Sequence, residues 1–244
     1  MLLVLTSAVF VNSDYTKLRD KNEREKQYVD SFMFYIKKTN FTDIVICDGS
    51  NFDFSTYNLA EIGKNNNKTI EVLFFESNKA ETKLKGKGFG EGEILRYVLS
   101  NSELLKRNKS FFKITGRIKV SNINSIIRSI KKNKIYFRQE RKYGLFLIDR
   151  VDTRIYYTKK DVFESTLLNT HHSVSDKENY FLENCYYDNI KKAKIRASVF
   201  KHFPIIRGIS GSSNIKYDLP NYKLILYQVL NFFEYWFQSF RSKL

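Results

Sequence analysis

Lys113-Ile-Thr-Gly-Arg117 sets a cation two residues to each side of Thr115, next to a glycine. Alternate residues of a strand share one face, so Lys113 and Arg117 are expected to point the same way. Two fixed cations there suit a diphosphate; a solvated basic edge strand would carry the same residues. Lys85 to Glu93, KGKGFGEGE, is the most glycine-dense stretch and leads into a helical segment, Glu93 to Leu105. Glycines let backbone amides approach an anion, and the positive end of a helix follows, with Lys87 as an added cation. The pattern is neither a P-loop nor a dinucleotide fingerprint, and a flexible loop is the alternative.

Carboxylates come next. Asp149-Arg-Val-Asp152-Thr-Arg154 follows an apolar strand. Two carboxylates at a strand end can bind a divalent ion or orient hydroxyls, or simply form an acidic turn. Asp152 is the first candidate for a base or a hydroxyl-orienting residue. Glu183, among the apolar neighbours of Tyr180-Phe-Leu-Glu-Asn184, is the second, because such a setting raises a carboxyl pKa. His171 and His172 sit in a polar stretch beside Ser173 and Asp176. They read as a surface pair, or as late additions to a metal shell. Arg207, Ser210 and Ser212 lie in a Gly/Ser-rich segment whose amides and hydroxyls can contact phosphate or a sugar, if it is not a plain loop.

The elements that must position these groups alternate. Leu2 to Val11 reads as a strand, with a helix ending near Lys38. Strands follow at Asp43 to Cys47 and Thr69 to Phe75. That order implies βαβ units and a mostly parallel sheet, whose ligands sit at the carboxyl ends of the strands. A nucleotide's base and ribose are therefore expected near Thr6, Ser7, Asp48 and Ser50. Farther along, Ser110 to Val120 reads as a strand broken by Thr115-Gly116-Arg117, and Ile123 to Lys132 as a basic helix. Strands at Tyr143 to Ile148 and Thr153 to Tyr157 and helices at Lys160 to Leu168 and Tyr180 to Ala193 complete an α/β unit over residues 1–220. Residues 221–244 form an aromatic, amphipathic C-terminal helix. Its polar residues Gln228, Asn231, Glu234 and Gln238 recur every three or four positions and line one narrow face. Such a helix suits a membrane interface, its own domain, or a second copy of the chain in a homodimer.

Composition bounds the partners. Forty-two Lys and Arg against 26 Asp and Glu give a net charge of +16, which favours nucleic acid, anionic lipid or phosphorylated ligands. A nucleic-acid-binding protein without catalysis is the alternative reading. No helix-turn-helix, zinc or RNP signature supports it, and the basic residues are spread along the chain. Cys47 and Cys185 fit no metal or disulfide spacing, which points to a reducing compartment. The apolar start MLLVLTSAVFV lacks a basic flank and reads as a strand rather than a signal peptide. No stretch approaches the ~20 apolar residues of a membrane span.

Taken in order, the Thr-Ser strand end, the GKGxGEGE segment, KITGR, Asp-Thr-Arg, YFLEN and GISGSS resemble a group of small GT-A-like bacterial glycosyltransferases of capsule, O-antigen and lipooligosaccharide synthesis, over most of residues 1–215. The resemblance implies a Rossmann-like nucleotide-binding half with a mostly parallel central sheet. It also implies a nucleotide-sugar donor and a saccharide or lipid-linked saccharide acceptor. The enzyme would be cytoplasmic and peripheral at the inner face of the membrane. Members hold a divalent cation, Mn²⁺ or Mg²⁺, on an Asp-x-Asp motif, which this chain lacks. KITGR occupies the comparable strand, so Lys113 and Arg117, with Lys87, would neutralise the diphosphate instead. Asp152 helped by His171 or His172 would be a non-standard metal ligand set.

Overall fold

The computed structural model describes residues 1–11, 16–142, 146–210 and 215–241. Strand β1 (Leu2–Ser7) leads through helix α1 (Lys21–Lys38) to β2 (Asp43–Asp48), then through α2 (Leu59–Lys64) to β3 (Thr69–Phe74). Helices α3 (Lys79–Lys85), α4 (Lys87–Asn101) and α5 (Glu103–Arg107) precede β4 (Ser110–Thr115) and the short β5 (Lys119–Val120). After α6 (Ile123–Ser129) come β6 (Ile135–Tyr136), β7 (Gln139–Lys142), β8 (Phe146–Val151) and β9 (Ile155–Lys159). The chain closes with α7 (Lys160–Thr166), α8 (Leu182–Lys192), β10 (Ala197–Ser198), β11 (Ile206–Arg207) and α9 (Asn221–Arg241).

Seven strands form one sheet in the order β10-β6-β9-β4-β1-β2-β3. The β1–β2, β1–β4 and β2–β3 pairings are parallel, and β9 runs antiparallel to β4 and β6. Strand β1 is apolar on both faces, from Leu2 to Leu5, because helices cover both sides of a parallel sheet. On one face Leu3, Leu5, Phe112 and Ile114 pack with Tyr28, Phe32, Tyr35 and Ile36 of α1. On the other, Leu2, Val4, Cys47 and Phe111 pack with Phe89, Ile94 and Val98 of α4 and Leu182 and Tyr186 of α8. Both cysteines are free and buried.

Several boundaries shift for local reasons. Strand β1 stops at Ser7, not Val11, because the chain folds over β2: Val9 N–H donates to Asp48 Oδ2 at 3.1 Å and Phe10 N–H to Ser50 Oγ at 3.0 Å. Helix α1 starts at Lys21, where Asp20 caps it by accepting from Glu23 N–H at 2.7 Å. The basic helix stops at Ser129, and Asp149 and Arg150 belong to β8 rather than to a turn.

The larger correction is the glycine-dense stretch. It is not a loop but the end of α3, its cap at Gly86 and the first turns of α4, and its glycines serve helix packing. A Cβ on Gly92 would fall 2.1 Å from His171 Cβ. Gly86, at φ +108°, is the only left-handed position at this junction, and a Cβ there would meet the Asp176 carboxyl at 2.0 Å. Asp176 Oδ2 in turn accepts from Lys87 N–H at 3.3 Å. A side-chain carboxylate therefore occupies the positive end of α4 that the sequence assigned to a ligand phosphate.

Candidate active site

A cleft opens at the carboxyl ends of β1, β2 and β4. Thr6, Ser7, Ser50, Thr115, Arg117 and Lys87 line it, together with Arg24, Tyr28, Glu91, Thr153, Arg154 and Tyr217. Thr6, Ser7, Ser50, Lys87 and Arg117 thus come together at the strand ends, where sheet topology puts ligands. Asp48 does not line the cleft. It is fully buried and accepts from Ser50 N–H (2.7 Å), Ser50 Oγ–H (2.6 Å) and Val9 N–H (3.1 Å), so it shapes the turn that presents Ser50.

Lys113 and Arg117 do not share a face. The strand ends at Thr115, and the turn carries Arg117 over the α1 side. There its Nη1 donates to Gln27 Oε1 at 3.3 Å and its guanidinium lies 5.7 Å from the Tyr28 ring. Lys113 points to the opposite side of the sheet and is fully buried. Its ammonium contacts the Glu91 carboxylate and donates to Thr153 O at 2.7 Å and Thr115 Oγ1 at 3.1 Å. Burial lowers its pKa to about 7, against the opposing pull of Glu183 and Asp152. Lys113 thus ties three cleft-lining residues together from behind, rather than facing a ligand.

Arg117 is differently placed. Its Nε is buried with no hydrogen-bond partner, and among the described residues no carboxylate lies within ion-pair distance of it. An unsatisfied buried N–H on a cation is costly, and an anionic ligand would satisfy it. Arg24, absent from the sequence expectations, adds a second cation. Its own N–H groups are spent on the carbonyls of Val9 (3.2 Å) and Leu18 (3.1 Å), so it contributes a fixed field rather than a free donor.

Asp152 is buried and ion-paired. Burial alone would raise its pKa, but Arg154 overrides that and holds the carboxyl below its usual range. Arg154 grips both oxygens, from Nε at 2.8 Å and Nη2 at 2.7 Å. Arg154 N–H adds a third bond at 3.0 Å, and Asp152 is not among the grouped ligand atoms of Glu93, His171 and His172. Glu183 accepts from Thr153 Oγ1–H at 2.9 Å, behind the cleft wall. Arg207 is exposed on β11 and pairs with Asp218 at 2.8 Å, outside the cleft. Ser210 N–H donates to Ile215 O at 2.9 Å; Ser212 lies outside the described residues. The histidines are not a surface pair: His171 is buried against Glu93, and only His172 is exposed.

A second cleft adjoins the first through Arg154 and Tyr217 and is lined by Arg138, Glu140, Arg141, Asp152, Phe203, Lys216 and Tyr227. Glu140 sits where the β7–β8 register slips between Gln139 and Arg141, an irregularity that re-aims side chains. Burial, then the nearby charges of Asp152 and Glu183, push its carboxyl up to about 7. Nothing in the sequence singled out Glu140, since a carboxylate in a charged run reads as solvated.

The divalent cation of the resembled enzymes needs a cluster of carboxylates. Among the described residues Glu91 is the sole carboxylate lining the first cleft, and Lys113 engages it. These residues do not fit such a cation.

No protein-family model matches the sequence, and no curated protein does. Among solved structures the chain is similar to the glycosyltransferase GlyE of Streptococcus pneumoniae TIGR4, with a TM-score of 0.50 and 8% identity over 82% of this chain and 45% of that one. The apo form of GlyE gives the same values, a TM-score of 0.50 at 8% identity. A looser similarity, TM-score 0.44 at 10% identity over 82% of this chain and 38% of the other, relates it to the bifunctional glycosyltransferase WbbM and adds nothing to the fold assignment. The chain spans less than half the length of these proteins. At such identity the likeness is one of architecture: the chain has a mixed α/β, GT-A-like fold with a mostly parallel central sheet.

Proposed function

We propose that the chain is a nucleotide-sugar-dependent glycosyltransferase that binds its donor in the first cleft. The observation that carries this reading is Arg117, a cation with a buried, unpartnered Nε at the carboxyl ends of parallel strands. In glycosyl transfer the bond from the anomeric carbon to the diphosphate breaks, and the nucleoside diphosphate leaves with the electron pair. Arg117 and Lys87 would stabilise that charge, with Arg24 adding fixed positive field. This arrangement favours neutralisation by side chains, without a divalent ion. The acceptor, a saccharide or lipid-linked saccharide, would occupy the second cleft. There Glu140 takes the role first given to Asp152, accepting the acceptor hydroxyl's proton, because its carboxylate is not locked by an arginine and titrates near neutrality.

The finer assignment, bacterial surface-polysaccharide synthesis at the inner face of a membrane, rests on α9. Asn231 donates to Phe200 O at 2.9 Å, Gln238 accepts from Val199 N–H at 2.9 Å and Glu234 pairs with Arg141 at 2.9 Å. The polar stripe therefore faces the body of the protein. Tyr222, Ile225, Val229, Phe232, Phe233, Trp236 and Phe237 face outward and are exposed. No helix among the described residues is long and apolar enough to cross a membrane. An aromatic stripe on a protein of charge +16 suits the interface of an anionic bilayer. Flotation with anionic vesicles, lost on deleting residues 221–244, supports this. A soluble dimer that never floats rejects it in favour of self-association through α9.

A thermal-shift screen against UDP- and CMP-sugars, with and without Mn²⁺, tests the donor reading, because a ligand of the native state must raise the melting temperature. A metal-independent, saturable rise is the expected result. No shift with any nucleotide sugar rejects the reading.

A further inference from the structure

The geometry points to a transition-metal site formed by Glu93, His171 and His172, separate from both clefts' proposed chemistry and independent of the glycosyltransferase reading. One ligand atom from each residue lies within 4.8 Å of the others. Two imidazoles and a carboxylate form a borderline donor set that suits Zn²⁺ or its neighbours and not Mg²⁺ or Ca²⁺.

The hydrogen bonding of His171 gives a second, independent reason. Its Nδ1 lies 3.0 Å from the carbonyl oxygen of Leu168. A carbonyl can only accept, so Nδ1 carries the proton. The lone pair of a neutral imidazole is then on Nε2, which faces Glu93 Oε1 at 3.0 Å. Two acceptors at that distance repel unless a proton, on either group, or a metal cation joins them. An imidazolium proton would do so for this pair alone; a metal ion would also recruit His172, whose ring centroid is 4.2 Å from that of His171. A backbone carbonyl on the remote nitrogen is also the usual way a ligating histidine is oriented.

The surroundings hold the group in place. His171 and Glu93 are buried, while His172 is exposed and leaves a side open to water. Arg96 bonds the Glu93 carboxylate at 3.2 and 3.3 Å, which orients it but also competes for its oxygens. The absent side chain of Gly92 lets His171 seat against α4. Since Lys87, Gly90, Glu91 and Ile94 of α4 line the first cleft, a bound ion would pin the 170–173 turn to a cleft wall.

The test is calorimetric titration of the full chain with ZnCl₂ alone near neutral pH, with Co²⁺ absorption as a second readout. We expect one saturable Zn²⁺ per chain, a tetrahedral-type Co²⁺ spectrum, and no comparable binding of Mg²⁺. His172→Ala, an exposed change that leaves the core intact, should weaken Zn²⁺ by ~10-fold or more. His202→Ala, at the remaining histidine of the three in the chain, should not. Absence of saturable binding, or wild-type affinity in His172→Ala, overturns the site and leaves Glu93–His171 as a hydrogen-bonded ion pair.

Discussion

The two adjoining clefts share Arg154 and Tyr217 but differ in their carboxylates: the first cleft's Glu91 is engaged by Lys113, while the second holds one, Glu140, that no cation engages among the described residues. In the first, Arg117 has a neutral amide and an aromatic ring for company and a buried N–H with no partner. In the second, Asp152 is held by Arg154 and Arg141 by Glu234, whereas the Glu140 carboxylate has no ion pair or hydrogen bond among the described residues, and the Arg138 guanidinium lies 4.3 Å from the Phe203 ring. A site that receives a diphosphate needs a fixed cation with capacity to spare. A site that receives a hydroxyl needs a base that is not already locked. The contrast teaches that pairing, rather than residue type, separates a working charge from a structural one.

The strongest way to break the comparison is at Glu140. Glu140→Gln should lower kcat by ~10²–10⁴-fold and abolish the rise of kcat with pH through about 7, the value to which its carboxyl is pushed up. A variant that keeps both the rate and the pH profile removes Glu140 from the chemistry. Lys113→Met comes next. Removing one partner of a buried pair costs about 3–5 kcal/mol, so denaturant unfolding should show a large loss of stability because Lys113 braces Glu91, Thr115 and Thr153. Unchanged stability with lost turnover would return Lys113 to the role of a ligand-facing cation. Arg117→Ala should do the reverse, cutting turnover by ~10²-fold, the scale for one fixed donor at a developing anion, with little change in unfolding.

The smallest effect sharpens the second cleft. The Glu140 carboxyl titrates near 7 in the folded chain against an ordinary 4.5. A raised carboxyl favours the folded state fully below the unfolded value, and that contribution is lost as pH rises through the folded one. Glu140→Gln should therefore match wild type at low pH and melt higher above about pH 7, by roughly 2–4 °C for each kcal/mol in a chain of this size. Equal melting across that window would mean that Glu140 is solvated.

Much of the first half was legible in the sequence. LLVLTS and DIVICD are apolar on both sides, as central parallel strands must be, so strand ends carrying Thr6, Ser7 and Ser50 were expected at one edge of the sheet, and there they line the first cleft. KITGR misled because strand alternation was carried across a residue where the strand had ended, a tertiary event that spacing cannot report. KGKGFGEGE misled because glycine signals a close neighbour as readily as a loop, and here the neighbours are Asp176 and His171. Arg24 and Glu140 were illegible: a cation in a helix and a carboxylate in a basic run are ordinary surface residues until the fold turns them inward. The outward apolar face of α9 was half legible, since the period gave the stripe but not the side on which the body lies.

The account rests most heavily on Arg117 as the group that holds a nucleotide diphosphate, and binding tests it before any acceptor is known. Isothermal titration of wild type and Arg117→Ala with UDP and CDP, in the presence of a chelator, is the direct measurement. Saturable, metal-independent binding by wild type that weakens by ~10-fold or more in Arg117→Ala, the loss of about 1.4 kcal/mol, with unchanged melting of the free protein, is the predicted result. Equal affinity in the two proteins, or no binding by a folded wild-type chain, would contradict it.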